Sequence, residues 1–433
     1  MLAEDVLFGT LLGVAATLAP ALLSRERCRP LATAVSAATA AAMLALLYPY
    51  GGAAGVIGLT AYLVALAALL SAPGYIPRDD NLAFHDALIL VLAATSYLVA
   101  VTESLVRLFV LWEAMGVAVA VVTAYEKKRE SVEAALKYVM MCGAGGLLAA
   151  AGIALTGLEA GSLTLGALAR ASLAARALVA VGFAVEAAVF PLYLWLPDAH
   201  MTAPSTGSSI LSGIVIESAV YVVYRVSASS PRLLWLLAAA ALIGSFAGNL
   251  AAYRQDDLKR LLAYSSVANA NYIMLGLTMG GAAASYAVLH ILAHGLLKAA
   301  FFLLAGALAV SYGTRSLESL RGALAGTWAG KLVAVAAAMG LTGVPPFLTF
   351  WSEAFMAAGI YVRSPLLAAA FAAAVLVSFG YYFHVFYTLC RGSGEAGAPA
   401  RGWPMIYAAL ALVLLDVALG VAWALGVLQA PVP

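Results

Sequence analysis

Residues 289–308 of the chain read LHILAHGLLKAAFFLLAGAL. This stretch is long enough to cross the hydrocarbon core of a bilayer as an α-helix, for which about 20 apolar residues suffice. The whole chain shares this character, because 64% of its 433 residues are hydrophobic and only 10% are charged. Such a composition excludes a soluble enzyme, a nucleic-acid-binding protein and a disordered scaffold. We therefore predict a polytopic membrane protein.

The apolar segments are long and rich in leucine and alanine, without the alternation of a transmembrane β-strand. Helices satisfy their own backbone hydrogen bonds in lipid, so the predicted fold is all-α. The first segment carries Glu4 and Asp5 and no basic leader, so we expect no cleavable signal peptide. The fourteen predicted spans are 5–24, 31–50, 54–72, 84–102, 105–125, 133–157, 176–197, 205–226, 232–253, 261–281, 284–309, 330–362, 365–390 and 404–428.

Basic residues in the loops predict the orientation of the chain. Arg225 and Arg232 lie on one side of the membrane, against the general trend. Under the positive-inside rule the other side is cytoplasmic, in the inner membrane of a prokaryote, and both termini lie outside. The basic residues that follow the odd-numbered spans on that side are Arg25, Arg27, Arg29, Lys127, Lys128, Arg129, Arg254, Lys259, Arg260, Arg315, Arg321 and Arg391.

Ionisable residues inside the predicted spans are the candidate functional groups, because a charge in the hydrocarbon core is costly. Burial and neighbouring charges can bring the protonation of Glu, His and Lys near neutral pH, so a line of such groups suits a proton path. These residues are Glu113, Lys137, Glu186, Glu217, His290, His294, Lys298, Glu353, His384 and Asp416.

Some of these residues have simpler interpretations. Lys137 lies close to the loop at 126–133 and could extend to the membrane surface. His384 has tyrosine neighbours in the sequence and could be a packed core histidine. Asp416 could pair with a helix end or with a neighbouring subunit.

His290, His294 and Lys298 recur every four residues and so share one face of a helix. Two histidines and one lysine are a poor set of metal ligands, so we predict a proton relay and no metal site. The loops are too short for a soluble domain, so we expect no cofactor in this chain. The three cysteines lie far apart and indicate neither a metal site nor a disulfide: Cys28, Cys142 and Cys390.

Two predicted spans carry prolines beside a carboxylate, in EAAVFPLYLWLPDAH (186–200) and in GVPPFLTFWSE (343–353). Proline removes a backbone donor and clashes with the preceding turn, so both helices should be interrupted. Broken helices in corresponding positions of two halves are typical of a transport site. The predicted helix breaks are at Pro191, Pro197, Pro345 and Pro346.

The polar residues also suggest an internal repeat. Glu186 and Glu353 are 167 positions apart, as are Glu217 and His384. Lys137 and Lys298 are 161 positions apart. Each pair is separated by five spans, and an odd number inverts the topology, so two inverted five-helix repeats are predicted. The predicted divisions are 1–80 for helices 1–3, 81–228 and 229–392 for the two repeats, and 393–433 for helix 14.

Several stretches resemble the antiporter-like, proton-translocating subunits of respiratory complex I (NADH–quinone oxidoreductase), membrane-bound energy-converting hydrogenases and multisubunit Na⁺/H⁺ antiporters. The resemblance implies fourteen helices with inverted five-helix repeats, and a subunit that works within a multisubunit membrane complex. The stretches are LFVLWEAMGVAVAVVTAYEKKRESVEAALKYVMM (108–141), PLYLWLPDAHMTAPSTGSSILSGIVIESAVYVVYRV (191–226), RQDDLKRLLAYSSVANANY (254–272), LHILAHGLLKAAFFLLAGAL (289–308) and GLTGVPPFLTFWSEAF (340–355).

The resemblance assigns roles to residues that match the family's motifs. Glu113 matches the functional glutamate of helix five, and Lys259 matches the lysine of the DLKR segment. Glu353 matches the helix-twelve group, which is Lys or Glu among relatives. The polar relay of helix eleven corresponds to His290, His294 and Lys298.

Two residues depart from the family pattern. Glu186 and Glu217 stand where the family usually has lysines. Glu113 would then face a second carboxyl in place of a cation, and such a pair does not easily ionise twice. The coupling lysine could instead be Lys137 or Lys298.

Three functions are compatible with these residues. The first is a proton-translocating subunit of a redox-driven complex whose redox cofactors lie on partner subunits. The second is a subunit of a cation/proton antiporter, in which carboxylates bind Na⁺ with oxygen from Ser265, Asn269 or Asn271. The third is a structural subunit that does not pump. We expect the lipid bilayer and other membrane subunits as partners, and no nucleic acid.

Overall fold

The computed structural model describes residues 2–19, 29–47, 51–77, 81–392 and 402–431. These residues form helices and connecting turns, without a β-strand. The predicted all-α class is therefore confirmed. The ends of the first two predicted spans, and Arg25, Arg27 and Cys28, lie outside the described residues.

The helices of the described part of the chain follow in order. The first eight are α1 (Leu2–Leu18), α2 (Arg29–Leu47), α3 (Gly52–Tyr75), α4 (Leu82–Val101), α5 (Leu105–Thr123), α6 (Arg129–Ala160), α7 (Leu173–Glu186) and α8 (Leu196–Thr202). The rest are α9 (Ser205–Ile210), α10 (Ile216–Ser227), α11 (Pro231–Ala252), α12 (Leu258–Met279), α13 (Gly281–Tyr312), α14 (Trp328–Gly340), α15 (Leu348–Arg363), α16 (Pro365–Cys390) and α17 (Trp403–Ala424). A five-residue π-helical segment, Leu211–Val215, joins α9 to α10.

Ten helices of the described residues are long and apolar enough to cross a membrane. They are α2 to α6, the continuous helical stretch Ser205–Ser227, α11, α13, α16 and α17. The chain is therefore a multi-pass membrane protein. Every predicted span overlaps a helix or a pair of helices. The number fourteen stays a prediction.

The two helix breaks have the same form. α7 ends at Glu186 and α8 begins at Leu196, and Pro191 lies in the turns between them. The second break separates α14 from α15 and contains Pro345 and Pro346. Pro197 does not interrupt a helix, contrary to prediction, because it lies in the first turn of α8. A proline is tolerated there, since the first N–H groups of a helix lack partners within the helix.

One local arrangement occurs twice in the backbone. Ser104 caps the start of α5 and pairs as an isolated antiparallel bridge with Thr164, after α6. Asp257 caps the start of α12 and pairs in the same way with Ser316, after α13. Both α6 and α13 have 32 residues and end at a left-handed glycine. The two bridges are displaced by about 153 positions along the chain, counted between the capping residues.

This displacement corrects the predicted pairing of residues. Glu186 ends α7 before the first break, whereas Glu353 lies in α15, after the second break. The two glutamates are therefore not equivalent, and the spacing of 167 positions does not describe a repeat. The repeat boundaries themselves stay a prediction.

α13 lies at the centre of the molecule. The most apolar 18 residues of α13 are 94% buried, and the helix packs against α3, α12, α15 and α17. The outer helices expose apolar side chains, as in α6 at Met140 and Leu147 and in α16 at Leu376. In a bilayer such faces meet lipid or other membrane subunits, so polar chemistry is concentrated around α13.

Candidate functional site: a buried polar line and an acidic cavity

The relay face of α13 is buried. His290, His294 and Lys298 are each at most 1% exposed, so the predicted helical face points into the protein. The two imidazole rings are nearly parallel, with centroids 5.9 Å apart and planes 20° apart. This stacking brings two proton-binding groups of one helix close together without a direct hydrogen bond.

Glu217 from α10 joins this face. Its Oε1 is hydrogen-bonded to Nδ1 of His294, and both side chains are 1% exposed. The other carboxyl oxygen of Glu217 and Nε2 of His294 have no protein partner. Glu217 and His294 therefore keep one free hydrogen-bonding position each, at which a further proton carrier such as water can bind.

Lys298 ends the line on the opposite side from His290. Its amine donates to the carbonyl of Leu262, at 3.0 Å, and to the hydroxyl of Ser265. The ring of Tyr382 lies 5.5 Å from the amine. Lys298 lies one helical turn after His294, the hydrogen-bond partner of Glu217, so a buried lysine on another helix lies near this carboxyl.

Glu353 from α15 lies at the other end. Its Oε1 is 4.0 Å from Nε2 of His290. His290 is also held by Ser352, at 2.8 Å from Nδ1, and by Asn269, at 3.2 Å from Nε2. The residues Glu217, His294, His290 and Glu353 therefore form one buried polar line that joins α10, α13 and α15.

The second break makes room for Glu353. Gly343 has φ +65°, which favours glycine, and a Cβ there would overlap Oε2 of Glu353. Asp416 of α17 caps α15, because its Oδ2 accepts the N–H of Leu348 at 3.2 Å. Asp416 thus has the helix-end partner that was one of its two predicted options. Gly420 lets α17 approach the carbonyl of Pro346.

Lys259 is buried beside the connection between α8 and α9. It is 1% exposed, and its amine donates to the carbonyl of Ala203, between α8 and α9. His200 is also fully buried and stacks on Phe302, with ring centroids 5.0 Å apart. Neither ring nitrogen of His200 has a protein partner.

His200 was not among the candidates predicted from the sequence. It lies in the quoted stretch 186–200, but in the short helix after a break, where depth in the membrane cannot be read from hydropathy. The PDAH sequence was the available signal. His85 and Asp86 were missed for a related reason, because they fall at the start of a predicted span, where a charge is inexpensive.

Glu113 and Glu186 line one cavity between α5, α6 and α7, as the expected like-charge pair requires. Glu186 is 2% exposed and accepts a hydrogen bond of 2.7 Å from the hydroxyl of Tyr138. Glu113 is partly exposed, and Gly146 leaves the space that its carboxyl occupies. No basic residue lines this cavity within the described part of the chain. We call it the acidic cavity.

Lys137 does not lie in the interior. Its side chain is 43% exposed and forms an ion pair of 2.6 Å with Asp198 of α8. The interpretation as a lysine that reaches the surface therefore fits the structure, and Lys137 is not the buried coupling lysine. His384 is exposed on α16, so its interpretation as a packed core histidine is wrong.

Arg225, which opposes the charge trend of the loops, has a structural role. Its guanidinium donates to the carbonyls of Ala100 and Thr102, both at 2.9 Å, at the end of α4. It also pairs with Glu103 at 2.5 Å. A cation that satisfies helix C-terminal carbonyls is stabilising, which explains an arginine on this side.

The oxygen atoms suggested for Na⁺ do not converge. The hydroxyl of Ser265 contacts Lys298, and Oδ1 of Asn269 contacts His290. The amide of Asn271 donates to the carbonyl of Val267 on its own helix. Among the described residues no three His, Cys, Asp or Glu side chains are grouped to hold a metal ion.

A model of the family described as NADH:quinone oxidoreductase/Mrp antiporter, TM matches residues 102–380. These residues contain both the polar line and the acidic cavity. The chain belongs to this family. The resemblance of its motifs is thereby confirmed.

Three relatives represent the branches of the family. The chain is 30% identical to NADH-quinone oxidoreductase subunit N of Desulforudis audaxviator, over 81% of the chain and 74% of the relative. It is 32% identical to a hydrogenase-4 component F homolog of Methylacidiphilum infernorum, over 47% of the chain and 44% of the relative. It is 28% identical to Na⁺/H⁺ antiporter subunit A1 of Staphylococcus aureus, over 65% of the chain and 38% of the relative. The match thus spans under half the length of the last two.

Solved structures share the fold over nearly the whole chain. A chain of the membrane-bound sulfane sulfur reductase, an archaeal respiratory membrane complex, has a TM-score of 0.88 at 24% identity, covering 98% of this chain and 94% of that one. A chain of the Mrp complex from Dietzia sp. DQ12-45-1b gives 0.86 at 21%, with coverages of 98% and 94%. A chain of respiratory complex I from Thermus thermophilus gives 0.83 at 25%, with coverages of 97% and 98%.

Proposed function

We propose that the chain is a proton-translocating subunit of a redox-driven membrane complex, and that protons move along the buried polar line. The observation that carries this proposal is the continuity of Glu217, His294, His290 and Glu353 across three helices. Each member can bind and release a proton. Their ionisable groups are not needed for packing, since apolar residues of similar size would fill the same positions.

Lys298 supplies the charge that drives transfer along the line. When its amine is protonated it favours the ionised form of Glu217, and when it is neutral it favours a proton on that carboxyl. Glu217 passes a proton to His294 through their hydrogen bond. The stacked rings share no hydrogen bond, so a water at the free Nε2 of His294 carries a proton on to His290. His290 then exchanges a proton with Glu353 across 4.0 Å, a distance that a small movement of either side chain closes.

The acidic cavity serves as a second proton-binding site. Two carboxyl groups in one cavity without a cation favour the state that carries one proton, because double ionisation places like charges together. Loss or gain of that proton changes the charge beside α7, which leads directly into the first break. In this chain Glu113 and Glu186 thus replace a carboxylate–lysine pair with a proton-sharing pair.

We infer the kind of complex and its place in the cell from the relatives and from the charge of the loops. Redox cofactors belong to partner subunits, and the complex resembles complex I, a membrane-bound hydrogenase or an Mrp assembly. The membrane is the cytoplasmic membrane of a prokaryote. The basic loops face the cytoplasm and both termini face outward, in keeping with the positive-inside rule.

The decisive experiment replaces Glu353 by glutamine in the intact complex. Glu353→Gln keeps the shape of the side chain but cannot release a proton, so proton uptake by inverted vesicles driven by the complex's own electron donor should fall about tenfold or more. His384→Asn is the matched control, because His384 is exposed and lies off the line. Unchanged uptake in Glu353→Gln, with normal assembly on native gels, would contradict the proposal.

Sodium dependence separates this function from cation/proton antiport. A proton path through the polar line requires no Na⁺, so replacing Na⁺ by choline should leave uptake within about a factor of two, well under the tenfold loss expected when a proton-transfer group is removed. The measurement is initial uptake against Na⁺ concentration, with the donor saturating. Uptake that rises in proportion to Na⁺ would favour the antiporter instead.

A further inference from the structure

A second buried polar cluster lies outside the polar line, on α4. His85 and Asp86 are both fully buried, and Nδ1 of His85 is 3.0 Å from Oδ1 of Asp86. Nε2 of His85 is 2.8 Å from the hydroxyl of Thr206, in the first turn of α9. Ser36 of α2 donates a longer bond, of 3.4 Å, to the other carboxyl oxygen of Asp86.

The contact with Thr206 reaches the connection between α8 and α9. This connection, with the residues beside it, spans 201–206 and is called here the α8–α9 link. Lys259 donates to the carbonyl of Ala203 within it. Arg315 donates to the carbonyl of Met201, at 2.6 Å. Side chains from α4, from α12 and from the loop after α13 therefore form hydrogen bonds within the six residues of this link.

The α8–α9 link also borders the loop side of the protein that carries the basic residues. Met201 and Thr202 line a cavity there together with Lys128 and Arg315, and Pro204 lines the cavity beside it. Lys259 is 1% exposed and is not among the residues that line these two cavities, and its amine donates to the Ala203 carbonyl of the link.

We propose that the His85–Asp86 pair is a positioning device that fixes the α8–α9 link through Thr206 and thereby fixes Lys259. Asp86 orients the imidazole and His85 anchors the hydroxyl of Thr206. The Ala203 carbonyl, three residues earlier, then faces the Lys259 amine. The importance of Lys259 for transport rests on its match to the lysine of the family's DLKR segment and on the proposed function, whereas the hold on the link does not.

Thr206→Val tests the hold directly, because it removes one hydroxyl and keeps the shape. Thr95→Val is the matched control, since the hydroxyl of Thr95 bonds only carbonyls of its own helix. In the full complex, amide hydrogen exchange over 201–208 should be about fivefold faster in Thr206→Val and in Asp86→Asn, the factor expected for one lost hydrogen bond. Unchanged exchange, or an equal change in Thr95→Val, would overturn the proposal.

A double-mutant cycle tests the connection to Lys259. By itself, Thr206→Val should lower proton uptake. In a Lys259→Gln background it should have no further effect, because both substitutions act through the Lys259 amine. Additive losses would show that Thr206 acts by general destabilisation, and would overturn the connection. If Lys259→Gln leaves uptake unchanged, Lys259 has no part in transport, and the hydrogen-exchange measurement then tests the hold on the link without it.

Discussion

Glu186 accepts a hydrogen bond from a hydroxyl and shares its cavity with a second carboxyl, where the family resemblance predicts an amine, and this changes what a substitution at the residue can do. Tyr138 donates to Glu186, and Glu113 lines the same cavity. A shared proton is the simplest way to satisfy Glu113 and Glu186 together. We therefore expect the acidic cavity to titrate as one unit.

Single and double substitutions in the acidic cavity should therefore not add. Glu113→Gln and Glu186→Gln should each lower proton uptake, and the double variant should be no slower than the slower single one, because either change removes the shared proton site. Uptake in vesicles of the intact complex measures this. Glu133→Gln is the control, since Glu133 pairs with Arg129 on the exposed surface. Multiplicative losses would contradict a single unit.

Lys137 shows where residue-level prediction stops. Its place in an apolar segment is visible in the sequence. Its ion-pair partner is Asp198, 61 positions later, and no local pattern in the sequence connects the two residues. The face formed by His290, His294 and Lys298 was predictable, because helical spacing alone determines it. Which helices cover that face depends on the tertiary packing, and the local sequence does not determine it.

At the scale of elements, the second break is held from outside by α17. Asp416 accepts the N–H of Leu348, and the backbone of Pro346 packs against Gly420. The prolines and the break they cause could be predicted from the sequence, but this brace could not. The same limit applies to the repeat, since the two halves share caps and bridges at Ser104 and Asp257, while their ionisable side chains differ.

Removing the cap should loosen α15. Asp416→Ala should lower the free energy of unfolding by about 1 kcal/mol, the usual loss for a helix N-cap, whereas Asp416→Asn keeps an accepting oxygen and should change it little. Denaturant titration of the purified complex in mixed micelles, followed by an α15 label, measures both. Equal losses in the two variants would show that the charge of Asp416, not its hydrogen bond, stabilises the break.

For the whole molecule, one central helix is enclosed by others whose outer faces remain apolar. Hydropathy and composition predict this class, because the bilayer replaces water as the solvent. Loop charge predicts the orientation, and Arg225 is an exception that is explained by its hydrogen bonds to helix C-terminal carbonyls.

Labelling from each side should establish the orientation. In a variant with Cys28, Cys142 and Cys390 replaced by serine, Ser319→Cys follows α13 on the side of the basic loops and Ser162→Cys follows α6 on the other side. A maleimide that cannot cross membranes should label Ser162→Cys in intact cells and Ser319→Cys only in inverted vesicles. The opposite pattern would place the termini inside.

The proposed path along α13 would make transport sensitive to voltage. His294 and His290 are four residues apart, which corresponds to a rise of about 6 Å along a helix axis. The hydrocarbon core is about 30 Å thick, so a proton moved between these two rings crosses up to about 20% of it. At 100 mV this costs or yields about 0.5 kcal/mol per proton. A high membrane potential would therefore oppose proton transfer between two helical turns of α13. The potential would in this way slow the transport that generates it.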